Sequence, residues 1–238
     1  MKRKQPLYEQ VSKKIIQAIQ AGQFREILPT EHELSALYSV SRATIRSALQ
    51  KLNSDNIIQT LHGKGSYITN QMHYVPLRID KMKGFYQLLS DTCENVSLKE
   101  LGVETVNSFK STYALPAEFY TGPVVIIKRL LLCNNQPKIY IEEHIASHYL
   151  QGCSFNNLPN SIYDLVYSLT KQRIKYTVSH FHPVLPSPEV AKIFEIGHRT
   201  SIFMATEQHY NMLNAYMVFS KVFLNSSKDM QIGLIRTK

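Results

Sequence analysis

Leu7, Val11, Ile15, Ala18 and Ile19 recur at helical intervals after Pro6 and stop before Gly22. This pattern predicts an amphipathic helix over 7–21 with a glycine stop, and Lys13, Lys14 and Gln17 fall on its polar side. A second helix is expected from Thr30, whose spacing to Glu33 is that of a capping box; Leu34 and Leu37 supply its inner face, and it ends near Tyr38. The third opens behind Ser41, a good N-cap, with Ile45, Ala48, Leu49 and Leu52 on one side. The opposite side shows Ala43, Ser47 and Gln50, flanked by Thr44 and Arg46, with Arg42 in the first turn. The stretch SVSRATIRSALQKL thus carries two arginines and no acid to neutralise them. Residues 57–61 and 66–69 then read as two short strands about a turn containing Gly63, Lys64 and Gly65.

Beyond this point the pattern changes. Residues 70–76, NQMHYVP, are polar, aperiodic and end in proline, so they are expected to be a linker between a first domain, 1–69, and a second, 77–238. In the second, 124–133 and 138–145 are β-prone apolar runs around Asn134, Asn135, Gln136 and Pro137, a hairpin signature. A further strand pair is expected over 201–211 and 215–223, a helix over 161–169, a strand over 174–184, and a capped helix start at Ser187 and Pro188. Helices and strands mix without a repeat, so the fold class is α+β, with an antiparallel sheet in the second domain.

Composition narrows the partners. The chain of 238 residues has 27 Lys and Arg against 18 Asp and Glu, a formal net charge of +9, which favours a polyanionic partner. Residues 1–70 hold ten of the basic residues and five of the acidic ones, so charge density is highest at the front. The three cysteines, Cys93, Cys133 and Cys153, are odd in number and lack metal-ligand spacing, and are expected to be buried thiols of a reducing compartment. No apolar run is long enough for a membrane span and no signal peptide opens the chain, so a cytoplasmic protein is expected.

A short helix, a turn and a second helix with small residues outward make a helix-turn-helix, whose second helix enters the major groove. An arginine there can donate two hydrogen bonds to guanine, and a glycine-flanked Lys64 can lie against phosphate or in the minor groove. The bland alternatives are a helical hairpin with a solvated face and a plain hairpin loop. Together, Pro6 to Tyr8, the Leu28 to Leu34 segment LPTEHEL, the Val40 to Arg46 segment VSRATIR, Ala48, Leu49, Leu52 and Gly63 to Gly65 resemble the winged-helix DNA-binding domain of the GntR family of bacterial transcription regulators. The resemblance implies that Arg42, Thr44 and Arg46 contact DNA from the recognition helix and that Gly63 reaches the minor groove. Ala43 and Ser47 share that helix face, Gly65 completes the wing turn, and Lys13, Lys14 and Lys64 are candidate phosphate contacts. Two departures stand out: the turn before Leu28 is shortened to Arg25, Glu26 and Ile27, and Ser39 stands where the family favours glycine, a strained position if φ is positive.

The second domain resembles the UTRA effector domain of the HutC branch, whose fold is similar to chorismate lyase. The resemblance rests on Arg129 before the hairpin turn, on Ser161 to Leu165 opening a helix, and on the Pro186 to Ile196 segment. It implies that Arg129 and Ser161 bind the anionic part of a small effector, commonly a sugar phosphate, with a hairpin carboxylate, Glu142 or its neighbour Glu143, holding other polar groups. A guanidinium suits that role, although a strand-edge arginine in solvent, a simple helix N-cap at Ser161 and solvated glutamates are the plain alternatives. Leu131 replaces an arginine common in relatives, and no glutamate appears near Val218, so the usual phosphosugar does not follow.

His144 with His148, and His180 with His182, make a poor metal site, because positions four apart do not converge on a strand. No metal, cofactor or catalytic constellation is expected. The expected function is a ligand-responsive transcriptional regulator, a repressor, binding a double-stranded inverted-repeat operator as a homodimer. An effector-independent dimeric DNA-binding protein and a lyase-like enzyme are the alternatives.

Overall fold

The computed structural model describes residues 6–61, 63–69, 77–79, 82–93, 95–107, 109, 115–150, 152–226, 230 and 232–233. The expected linker, 70–76, lies outside them, as does His62. The chain divides into two compact units, Met1–Val75 and Pro76–Lys238.

In the first unit, helix α1 (Leu7–Gln20) buries Val11, Ile15, Ala18 and Ile19, and Gly22 follows with a positive φ. Helix α2 (Glu31–Tyr38) starts at the capping box, with Glu33 N–H donating to Thr30 and the Glu33 carboxylate accepting from Thr30 N–H. It ends at Ser39 in the left-handed region, φ 52°, which costs a non-glycine residue roughly 1–2 kcal/mol. The tight turn is closed by Val40 N–H donating to the Ser35 carbonyl while Ser35 Oγ donates to the Val40 carbonyl. Helix α3 (Arg42–Ser54) follows, capped by Ser41, with Ile45, Ala48, Leu49 and Leu52 buried against α1 and α2. Strands β1 (Ile58–Leu61) and β2 (Gly65–Ile68) pair antiparallel, and a bridge from Ile27 to Tyr67 ties the shortened turn to their sheet.

The second unit is built on a six-stranded antiparallel sheet in the order β4-β5-β6-β9-β8-β7. Its strands are β4 (Val96–Val106), β5 (Val124–Cys133), β6 (Gln136–Ala146), β7 (Ile174–Val184), β8 (Ile202–Asn211) and β9 (Tyr216–Leu224). A parallel pair, β3 (Leu77–Arg78) with β10 (Ile232–Gly233), stands beside it. Helices α4 (Phe85–Ser90) and α6 (Ile162–Thr170) pack on one face, α7 (Pro188–Phe194) on the other, and the short α5 (Glu118–Thr121) precedes β5. Covered on both faces, β5 is buried almost throughout, which is why it reads as an unbroken apolar run. Asn134 and Asn135 turn into β6 with φ of 49° and 63°, the two left-handed residues that a tight hairpin needs.

Strand β4 has no comparable sequence signal. It is an edge strand, largely exposed, carrying Lys99, Glu100 and Glu104 and broken by a bulge between Glu100 and Gly102. Its pairing corrects the reading of the cysteines. Val96 lies opposite Cys133, and this brings Cys93 to a Cα–Cα distance of 5.9 Å from Cys133, where the two form a disulfide. Forty residues separate the pair, so spacing did not reveal it. Cys153 is the free thiol, half-buried, with Sγ 3.0 Å from the Leu169 carbonyl.

Candidate functional site

The first unit presents the N-terminal half of α3. Arg42, Ala43, Arg46 and Ser47 are exposed, while Thr44 is half-buried, with N–H donating to Ser41 Oγ and its hydroxyl 2.9 Å from the same atom. Buried Ile45, Ala48 and Leu49 fix which side faces outward. The absence of an acid partner, expected from the local sequence, is corrected here. Glu31, in the first turn of α2, accepts from Arg46 Nε at 3.2 Å and from Nη2 at 2.9 Å. The arginine holds the Glu31 carboxyl below the usual carboxylate range, with Arg42 contributing. Fifteen residues separate the partners, and only the turn at Ser39 brings them together. In the hairpin turn, Gly63, Lys64 and Gly65 are exposed; Gly65, at φ 107°, presses on Ile27, so a Cβ there would sit 3.0 Å from Ile27 Cδ1. On α1, Lys14 is exposed and Lys13 half-buried.

The second unit holds a narrow pocket, partly open to solvent and with about 10 Å³ of space for a water-sized group, on the face under α4 and α6. Its polar lining is Arg129, Glu143, Asn160, Glu207 and Ser220, and its apolar lining comes from α4 (Phe85 and Tyr86), α6 (Ile162) and the sheet (Ile141 and Val222). Gly84 lets the two helix starts approach: a Cβ there would stand 3.3 Å from Ser161 Cα.

Arg129 is neither solvated nor open to an incoming anion. Only 1% exposed, it donates from Nε to Glu143 Oε2 at 3.1 Å, from Nη2 to Glu143 Oε1, and from Nη1 to the Pro159 carbonyl at 2.7 Å. Ser161 caps α6, its Oγ accepting from Tyr163 N–H. Glu142 points to the opposite face of the sheet from Arg129, since neighbours on a strand alternate. There it accepts from the Tyr140 hydroxyl at 3.0 Å and lies beside Lys128 and His144. Of the three expected effector residues, then, Arg129 lines the pocket, Ser161 adjoins it and Glu142 is turned away.

The residues missed are Glu143's partner strands. Ile127, Glu143, Ser220, Glu207 and Ser179 lie directly opposite one another across β5, β6, β9, β8 and β7, forming one row on the pocket face. Burial pushes the Glu207 carboxyl up to about 7, Ser179 opposing by donating to Oε1 at 2.8 Å and Glu143 adding repulsion. His209, fully buried, falls to about 3 by desolvation and sits neutral between Thr177 Oγ1 at 2.8 Å and Ser220 Oγ at 3.0 Å. His144 falls likewise to about 3, chiefly by burial, with Lys221 assisting. The alternation Ala205, Glu207, His209 places an acid on a strand's inward side, and was the available signal. Among the described residues no three His, Cys, Asp or Glu gather to hold a metal ion, and no helix is long and apolar enough to cross a membrane.

Residues 7–68 match the family model described as bacterial regulatory proteins, gntR family, and residues 120–228 match the UTRA domain. The mannosyl-D-glycerate transport/metabolism system repressor MngR of Escherichia coli K12 is 23% identical over 97% of this chain and 95% of its own. The regulator TreR of Bacillus subtilis is 46% identical over 63 residues, 26% of each chain. Among solved structures, the possible transcriptional regulator YydK of Bacillus subtilis covers 98% of this chain and 100% of its own with a TM-score of 0.60 at 17% identity, so the fold is shared. With a winged helix read by one family model and the pocketed sheet by the other, this chain belongs to the GntR family of bacterial regulatory proteins, as a DNA-binding transcriptional regulator with the effector domain of the HutC branch.

Proposed function

We propose that the chain is a repressor that binds an inverted-repeat operator as a homodimer and is released by a small polar effector seated in the Arg129–Glu143 pocket. The observation that carries the DNA reading is the exposed start of α3: small Ala43 and Ser47 admit the backbone to base edges, and Arg42 and Arg46 flank them. In this reading Arg42, Thr44 and Arg46 provide register and base contacts. Gly63, Lys64 and Gly65 approach the minor groove, and Lys13 and Lys14 meet phosphates. A two-fold dimer would present two such helices to matching half-sites. The similar repressor named for a mannosyl-D-glycerate transport/metabolism system supports an effector drawn from carbohydrate chemistry. A sugar phosphate would have to compete with Glu143 for Arg129. Release requires that the effector bind one arrangement of the dimer more tightly than the other.

Selection of bound duplexes from a random pool, followed by titration of the winning site with small polar compounds, tests this reading. A palindromic winner released by one compound is the expected result. A palindrome that no compound releases leaves an effector-independent dimeric regulator, and no enriched sequence removes operator binding altogether.

A further inference from the structure

The pocket under α4 and α6 holds an imbalance of charge. Glu143 is committed to Arg129 through two hydrogen bonds, and the third arm of that arginine is taken by the Pro159 carbonyl. Two strands further along the same row, about 10 Å at ordinary strand spacing, stands Glu207, with its side chain 12% exposed. Its hydrogen-bond donor is the neutral Ser179 hydroxyl. The imidazole 3.7 Å away, His209, is neutral and already engaged with Thr177 and Ser220. Lys128 of β5 and Lys221 of β9 do not help: they pair across the sheet with Glu142, which puts both on the opposite face. Among the described residues lining the pocket, one guanidinium therefore meets two carboxyl groups.

We propose that this pocket selects a ligand bearing a protonated amine, seated against Glu207, in preference to a phosphate-headed one. The proposal rests on the pocket's being the effector site, and it names the class of effector. A phosphate entering here meets the Glu207 carboxyl group and must displace the Glu143 carboxylate from Arg129, leaving a buried anion without its partner. An ammonium instead gives Glu207 a counter-charge through a charge-assisted hydrogen bond. The space suits a group of about the size of a water molecule, as an ammonium is and a phosphate is not; Asn160 and Ser220 offer hydrogen bonds beside it, and Phe85 and Tyr86 of α4 line its apolar side. Specificity comes from repulsion of the wrong class as much as from attraction of the right one.

Binding is also linked to protons. The groups facing Glu207 are Ser179 from β7, His209 on its own strand, Ser220 from β9, Glu143 from β6 with its partner Arg129 from β5, and Tyr163 from α6. Of these, Glu207 is the group that changes charge near neutrality, because burial holds it at about 7. An ammonium binds its ionised form, so affinity rises from about pH 6 to about pH 8 and then levels.

Calorimetric titration of the full chain with glucamine, sorbitol and sorbitol 6-phosphate, three probes differing in their head group, tests the proposal. Glucamine is expected to bind at least about tenfold more tightly than the other two, and Glu207→Gln to weaken glucamine by about tenfold while leaving sorbitol unchanged. Glu207→Gln removes a costly buried charge, so its melting temperature should match or exceed that of the wild type, which separates a binding defect from a folding one. Tighter binding of sorbitol 6-phosphate, glucamine binding indifferent to Glu207→Gln, or no glucamine binding overturns the proposal. Operator release by sorbitol 6-phosphate would leave the effector-gated regulator standing and sink the amine. Glucamine binding without any change in operator affinity would do the reverse.

Discussion

Among the described residues, each unit contains one bidentate pairing of an arginine with a glutamate, and the two differ in their surroundings. Arg46 and Glu31 keep 63% and 37% of their side chains exposed, whereas Arg129 and Glu143 keep 2% and 1%. Water screens the first pair and can replace either partner, so it adds little to stability and can be exchanged for DNA. The second pair has no water to fall back on: each member would be a buried, unpaired charge without the other. The same two side chains thus make a surface that can change partner in one unit and a fixed frame in the other. An arginine in a sequence motif is available for a ligand only if its internal partner can be given up cheaply.

Breaking the buried pair should have the largest effect. Glu143→Gln is expected to destabilise the second unit by about 3–5 kcal/mol in urea unfolding. Replacing both members, Arg129→Met with Glu143→Leu, should recover most of that loss, because no charge is left behind. A single variant as stable as the wild type would show that the pair is not a frame. At the exposed pair, Arg46→Ala should reduce discrimination at one base of the operator by about 1–3 kcal/mol while sparing nonspecific binding. Uniform loss on all sequences would instead assign Arg46 to a phosphate.

Acid titration sharpens the contrast from the buried side. His144 and His209 are held neutral down to about 3, below the ordinary 6.5, so the unfolded chain takes up protons that the folded one refuses. The stability they contribute is complete above 6.5 and lost as pH falls toward 3. Glu207 acts oppositely: with its carboxyl raised from 4.5 to about 7, the folded chain binds the extra proton, and stability rises as pH falls through that window. Glu207→Gln removes this offset, and its unfolding free energy should fall about 2 kcal/mol further than that of the wild type between about pH 7 and pH 5. Parallel profiles would place the Glu207 carboxyl in water rather than in the pocket. The smallest effect is expected at Glu31→Gln. Stability should change by less than about 1 kcal/mol, while competition binding should show a gain on nonspecific DNA and a loss of operator preference, since Arg46 is freed but no longer oriented. An unchanged preference would mean that Glu31 does not hold Arg46 in its reading position.

The first unit was largely legible because its signals are local. The capping box at Thr30 and Glu33, the N-cap at Ser41 and the apolar spacing of α1 and α3 each span a turn or two of chain, and hydrogen bonds of that range follow from sequence directly. Strain at Ser39, conditional on its φ, became actual once the turn was seen to be left-handed. In the second unit the hairpin at Asn134 and Asn135 was legible for the same reason. Strand β4 was not, because an exposed edge carries little apolar pattern.

What the sequence determined by itself is the order of elements, the division between a basic helical front and a mixed second half, and the identity of the face that α3 turns outward. These follow from periodicity, capping and turn chemistry acting over a few residues. Tertiary structure decided the partners. Glu31 reaches Arg46 across a turn, Cys93 reaches Cys133 across a strand pair, and Glu143 rather than Glu142 meets Arg129, because a one-residue step on a strand reverses its face. Which charge is neutralised, and hence which ligand a pocket can accept, depends on contacts between residues far apart in the chain, and only the folded backbone brings those residues within reach.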